Sequence, residues 1–384
     1  MSAVDAIRSW EDELHVLRRD FHANPELGLE EHRTAEIVAK KLEDWGVEVH
    51  RHVGTTGVVG VLRKGAGTKR IGLRADMDCL PMHEQTNLPY RSQSPGKMHA
   101  CGHDGHTTML LGAARYLSSV EFDGTVNFIF QPGEEGIGGA LAMLEDGLFD
   151  RFPCDAIYAL HNMPGLEIGK FAIAPGPACA GGAFFDVKIT GRGTHGARPE
   201  MGIDPVLVAS HVVTALQSIV SRNVPPSQAA VLSVTKIVGG DAYNVIPEIA
   251  TVSGTARAFH RSTMTLIEDR LTRIAKGVAE GFGCSAEVDF RLIFAPLIND
   301  ARQGELIADA AAKLVGEANV NREREPSMGS EDFSFMMEKV PGAYIHVGNG
   351  DSAQLHNPAY NFNDECTPFG AAVLATAAEL ALRA

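Results

Sequence analysis

Within the segment MHACGHDGHTTM, His99, Cys101, His103, Asp104 and His106 fall inside eight positions. Cys101 and His103 flank a single glycine, so a flexed turn can bring a thiolate and an imidazole onto one cation. Thiolate and imidazole donors suit zinc and other borderline transition metals. The plainer alternative is a buried structural cysteine beside a helix-capping histidine. That reading serves a lone Cys or a lone His. It serves the cluster less well, because crowding ionisable groups without a compensating charge is costly.

Glu134 and Glu135 form a second informative pair, in the glycine-rich loop QPGEEGIGGA. Adjacent carboxylates repel unless a cation intervenes. In a loop they can face different ways, so that one ligates metal and the other takes a proton from metal-activated water. A solvated acidic turn is the ordinary alternative, and the position directly after an apolar strand weighs against it. His161 precedes Asn162 and Pro164, and His356 lies in the turn-rich QLHNPAY. Each alone reads as a surface or satisfied histidine, and each gains meaning as a further contributor to one site.

The elements that must position these groups alternate strand and helix. RIGLRA runs into Asp76 and Asp78, NFIFQPG into Glu134 and Glu135, and AIYAL into His161. Ligands of open α/β sheets collect at the carboxyl ends of strands, so these groups are expected on one rim. The spacing predicts a helix from the start to about Phe21, broken by Asn24-Pro25. A second helix runs roughly from Glu30 to Trp45, with Ala35, Val38 and Leu42 on one face and Gly46 as its stop. Short strands follow, then a helix over Asp104–Leu117, a strand at TVNFIFQ, a helix over Gly138–Asp146 and a strand at AIYAL. This is an α/β domain with a mixed, largely parallel sheet flanked by helices. Near Gly181 the pattern becomes βαββαβ, a smaller α+β unit. The expected organisation is a discontinuous domain, 1–181 and 295–384, carrying an inserted domain, 182–294.

A chain of 384 residues suits two domains, and its 45% hydrophobic and 21% charged composition is that of a soluble globular protein. A formal net charge of −14 argues against non-specific binding to nucleic acid or to anionic membranes. A local positive pocket can still receive a small anionic substrate. The six cysteines are scattered, unlike a disulfide framework, and point to reduced thiols and the cytoplasm. The charged N-terminal segment has no apolar signal core, and no apolar run approaches a membrane span.

RADMDCLP, MHACGHDGH, FIFQPGEEG, LHN, NVIP and LHNP occur in one order. Together they resemble the M20 metallopeptidase clan, and specifically its aminoacylase-like amidohydrolases: hippurate hydrolases, N-acyl-amino-acid deacylases and auxin-conjugate hydrolases. The resemblance runs from HANPELGLEEHRTA to FNDECTPFGAA. It implies hydrolysis of the amide bond of small N-acyl amino acids, with two divalent ions per subunit (manganese or zinc, or cobalt or nickel). By this resemblance Cys101, His103, Glu135, His161 and His356 are metal ligands, with Cys101 bridging. Glu134 is the general base, and Asp78 orients a ligand histidine. The inserted domain is a lid that also makes a homodimer or homotetramer. His195 polarises the scissile carbonyl, and Asn244 and Arg257 hold the substrate carboxylate.

Two departures from the family pattern stand out. Gly133 replaces the alanine that many relatives carry before the Glu pair, and is expected to loosen that turn. Arg198 follows His195 where small or apolar residues are usual; it is either a solvated loop arginine or an added positive charge favouring acidic acyl amino acids. A carboxypeptidase or dipeptidase on the same scaffold is the main alternative. A non-catalytic binding protein fits poorly with a complete ligand set, and no G-x-S-x-G elbow suggests a serine nucleophile.

Overall fold

The computed structural model describes residues 2–383. The chain divides into two compact units, the first comprising 1–178, 298–325 and 332–384, the second 179–297 and 326–331.

The first unit is built on an eight-stranded sheet in the order Glu48–Val53, Gly57–Lys64, Gly124–Gln131, Arg70–Asp76, Ala156–Met163, Gly342–Gly348, Phe171–Ala172, Val320–Asn321. Its four central strands, from Gly124–Gln131 to Gly342–Gly348, run parallel; the strands outside them join antiparallel, except Val320–Asn321, which is parallel to Phe171–Ala172. Strand alternation sorts the side chains. Leu73 lies beside Phe128 and Tyr158, and Ala75 beside Phe130, all in the apolar core. The His103–Ser119 and Thr367–Arg383 helices contribute Leu110, Leu111, Ala371 and Leu374 to the same core. The residues between, Arg74 and Asp76, project to the opposite face, where Gln131 pairs with Asp76 and His161 with His346. A one-residue slip would exchange the two faces, so core burial fixes which side becomes polar.

The first helix differs from expectation. It is two helices, Ala3–Arg8 and Glu11–Ala23. Trp10 leaves helical geometry (φ −132°, ψ 21°) and packs against the core, under the Arg115 guanidinium at 4.6 Å. Burying an indole outweighs one continuous helix, which the apolar periodicity does not reveal.

Arg74 is wholly buried and fully engaged. It donates to Asp76 Oδ2 at 2.7 Å, Gln131 Oε1 at 2.9 Å and Asp332 Oδ1 at 3.2 Å. Asp332 also accepts from Gln131 Nε2 at 2.7 Å and from the Ala140 amide at 3.0 Å. Removing Asp332 would take away one of Arg74's carboxylate partners and the acceptor of Gln131 Nε2 and of the Ala140 amide, all in a buried setting. Asp332→Ala is therefore expected to cost about 3–5 kcal/mol, read as a lower urea midpoint for the metal-free protein.

The second unit has a four-stranded antiparallel sheet, Ala230–Gly239, Ile249–Ala258, Gly181–Thr190, Ser285–Phe294. The Pro205–Leu216 and Arg261–Gly281 helices close its core over Phe185, Val187, Val252, Val212 and Leu271. Asp204 caps the first of these, accepting from Val206 and Leu207, with Pro205 at the first helical position. No helix among the described residues is long and apolar enough to cross a membrane. None of the six cysteines, all among the described residues, is in a disulfide.

Candidate metal centre

The dense segment enters the His103–Ser119 helix through Gly102, whose φ is +95°. A Cβ there would stand 2.3 Å from Asn162 Oδ1 and 2.7 Å from Tyr360 Oη, so only glycine fits. This bend sends Cys101 and His103 to the same point. Cys101 Sγ lies 3.4 Å from His161 Nε2. Donor atoms of Cys101, His103 and His161 all fall within 4.8 Å of one another; so do those of Cys101, Glu135 and His356, and those of His103, Glu134 and Glu135. The five ligand candidates and Glu134 therefore share one neighbourhood, and Cys101 belongs to two of the three donor groups.

Two of the three candidate imidazoles have one nitrogen tied down. His103 Nδ1 donates to the Asp78 carbonyl at 3.0 Å and lies 3.1 Å from Asp78 Oδ1. His161 Nδ1 donates to the Asn162 carbonyl at 2.7 Å. These bonds direct Nε2 of both rings inward, the arrangement in which a histidine ligates metal. Asp78 does further work: its Oδ2 accepts from the Glu135 amide at 3.0 Å, so one carboxylate aligns a ligand ring and the Glu loop together. Gly133 is not a loose point. Its φ of +57° is left-handed, and its amide donates to Glu31 Oε1 at 2.8 Å. Glycine here permits a turn rather than slackening one.

The donor set fits divalent cations on its own chemistry. His103 Nε2 and Glu135 Oε1 are buried without a hydrogen-bond partner, a costly state that coordination relieves. His356 Nε2 stands 3.2 Å from Glu135 Oε1, but not in hydrogen-bond alignment. The site also demands positive charge. Contacts with Cys101 and Glu135 lift His356 to about 10. Burial opposes charge on His103, yet Asp76 and Cys101 raise it well above the usual imidazole range. Burial, with His106 and His103 nearby, keeps His161 neutral, ready to donate a lone pair. Burial and the Glu135 charge raise the Cys101 thiol.

Protons on Cys101, His103 and His356 must leave when a cation enters, so affinity falls as pH falls. Co2+ is expected to bind more tightly at pH 8.5 than at pH 6.5, with proton release visible as buffer-dependent heat in calorimetry. Equal affinity at both values would contradict this.

Some functional neighbours escaped the sequence reading. His106 Nδ1 bonds Asp76 Oδ1 at 2.7 Å, and its Nε2 accepts from the Asn162 amide at 3.0 Å. Asn162 in turn donates to Tyr360 Oη at 2.5 Å. His106 stood in the dense segment, three residues from His103, and helical spacing alone could have marked it as a neighbour on the same face.

The remaining candidates lie in the second unit. His195 pairs with Val245 in a short ladder, and the Gly196 amide donates to the Asn244 carbonyl at 2.7 Å, so His195 and Asn244 adjoin. The Arg198 amide donates to the His195 carbonyl at 2.8 Å, while its side chain is exposed. Arg257 is separate, on the Ile249–Ala258 strand, where its guanidinium donates to Ser330 Oγ.

The fold and this donor set define a metallohydrolase of the M20 type. Residues 72–380 match Peptidase family M20/M25/M40, and the chain belongs to that family. It is 44% identical to a hippurate hydrolase of Campylobacter jejuni, over 95% of each chain. It is 41% identical to the IAA-amino acid hydrolase ILR1-like 4 of Arabidopsis thaliana, over 94% of this chain and 84% of the relative. Among solved structures, a dinuclear metal-binding M20 peptidase of Bacillus subtilis superposes with a TM-score of 0.87 at 32% identity, covering 98% of this chain and 99% of the other. The chain is thus an enzyme that hydrolyses amide bonds.

Proposed function

We propose that this enzyme hydrolyses the amide bond of small N-acyl amino acids, of the hippurate, N-acetyl or indoleacetyl type, releasing the carboxylic acid and the free amino acid. The observation that carries the reading is the convergence of Cys101, His103, Glu135, His161 and His356 around shared donor groups. Two divalent ions there, manganese or zinc, or cobalt or nickel, would polarise the carbonyl and acidify a water. Glu134 is the base that would take the proton of the attacking water as its oxygen adds to the carbonyl carbon. The same carboxyl then protonates the departing nitrogen as the C–N bond breaks. Asp78 holds His103 and the Glu135 loop in register throughout. In the second unit His195 is assigned to the developing oxyanion, a role whose loss typically costs about 10²–10³ in rate. Asn244 and Arg257 are assigned to the substrate carboxylate, with Arg198 adding affinity for acidic conjugates.

The inserted unit, residues 182–294 in the sequence reading, serves as lid and as the surface for a homodimer or homotetramer. Ala230–Gly239 is an edge strand, and Ile237, Val238, Val206 and Leu207 are exposed apolar residues of that unit. Ile237→Lys is expected to shift the protein toward monomer in sedimentation; an unchanged mass removes this surface from assembly. A location in the reducing cytoplasm is part of this reading, supported by six cysteines that form no disulfide.

The test is a panel of N-acetyl, N-benzoyl and indoleacetyl amino acids set against dipeptides, run on metal-reconstituted protein. Preference for the acyl amino acids is expected. Faster turnover of dipeptides would move the enzyme to the dipeptidase reading.

A further inference from the structure

A second group of charged side chains, unused by the chemistry above, lies inside the core of the first unit. Arg18, on the Glu11–Ala23 helix, is 0% exposed. Its Nε donates to Asp364 Oδ1 at 2.6 Å and its Nη1 to Asp104 Oδ2 at 3.4 Å. The Tyr90 ring stacks 4.6 Å from its guanidinium carbon. One turn along the same helix, His22 Nδ1 bonds that same Asp104 Oδ2 at 2.8 Å, and its Nε2 lies 3.3 Å from Glu84 Oε1. Glu84 is itself held by the Ser92 amide at 2.6 Å. Burial works against charge on His22, but Asp104 and Glu84 overcome it and lift the ring to about 9.

Asp104 is the residue directly after His103. The helix that starts at His103 has no side-chain cap at Gly102. Asp104 instead turns one oxygen to the Gly105 amide at 3.0 Å and gives the other to Arg18 and His22. The start of the helix is therefore tied to a neighbouring helix by directional, charge-assisted bonds at two points one turn apart. Buried ion networks are a poor source of stability, since apolar packing of similar volume often does as well. What directional bonds add is position. The loop and first turn so fixed carry Cys101, His103 and His106.

We propose that Arg18 and His22 are positioning residues of the metal centre, which act through Asp104 to set where Cys101 and His103 meet His161. Neither touches a donor atom of the centre in the contacts above. The segment HANPELGLEEHRTA thereby gains a role toward the metal centre at its first residue. This inference rests on the metal-binding reading of the site.

The test uses the full chain stripped of metal and titrated with Co2+, reading affinity and the visible absorption bands. His22→Leu is expected to weaken Co2+ binding about 10–100-fold, as loss of a ligand's supporting partner generally does, and to shift the bands. His22→Gln, whose amide can still donate to Asp104, should recover part of both. Leu14→Ala is the control. It sits on the same helix, its side chain reaches Gly112 of the His103–Ser119 helix, and it should lower thermal stability while leaving affinity and bands unchanged. Wild-type affinity and bands in His22→Leu would overturn the proposal, and so would Leu14→Ala losing Co2+ in the same measure. If His22→Leu does not fold, Arg18→Lys decides: altered bands support the proposal, unchanged bands and affinity end it. A wild-type chain that takes up no Co2+ overturns the metal centre itself, and this inference with it.

Discussion

Glu134→Gln is expected to keep its full metal content and to lose about 10²–10⁴-fold in kcat. Glu134 is 6% exposed, and its carboxylate shares a donor group with His103 and Glu135. The two adjacent glutamates are separated by their attachments. The Glu135 amide is held by Asp78 while its Oε1 faces His356 at 3.2 Å. Glu134 Oε1 meets the Asp332 amide at 3.4 Å. Glutamine preserves the acceptor for that amide and the volume of the side chain. It removes the negative charge of the carboxylate and with it the capacity to hold a proton. Loss confined to the transition state lowers kcat and kcat/KM together and leaves KM nearly unchanged. Steady-state kinetics on N-benzoylglycine, with metal measured by atomic emission, checks both halves. Wild-type turnover in the variant would remove Glu134 from the base role; loss of metal would recast it as a ligand.

Cys101→Ser should reduce bound metal below two ions per subunit and weaken the lesser site by more than about 100-fold, beyond what losing a mere supporting contact costs. Cys101 is shared by the group with His103 and His161 and the group with Glu135 and His356. A serine hydroxyl ionises far less readily than a thiol and is a harder donor, so it replaces neither the charge nor the softness of the sulfur. Activity should fall in parallel and return in part with excess metal. Two ions retained at wild-type affinity would refute the bridging assignment.

Much of the centre was legible in the chain before any fold was known. Donor chemistry is a property of side chains, and crowding Cys101, His103 and His106 within six positions is local. Apolar runs ending in Asp76, Glu134 and His161 announced strands whose carboxyl ends would carry charge, because backbone hydrogen bonding and burial act along a short segment. The break at Trp10 and the left-handed Gly133 were not legible. Each depends on what the rest of the chain brings against it.

The long-range pairings belong to the tertiary structure alone. Arg74 meets Asp332 across 258 positions, and Arg18 meets Asp364 across 346. Cys101 and His161 stand 60 residues apart in sequence and 3.4 Å apart in space. Residue type and local spacing settled which groups could bind a cation and which strands would carry them. Coulombic attraction, coordination and desolvation depend on distance through space, so only the closed fold decided that these groups share a centre, and which buried ions hold it in place.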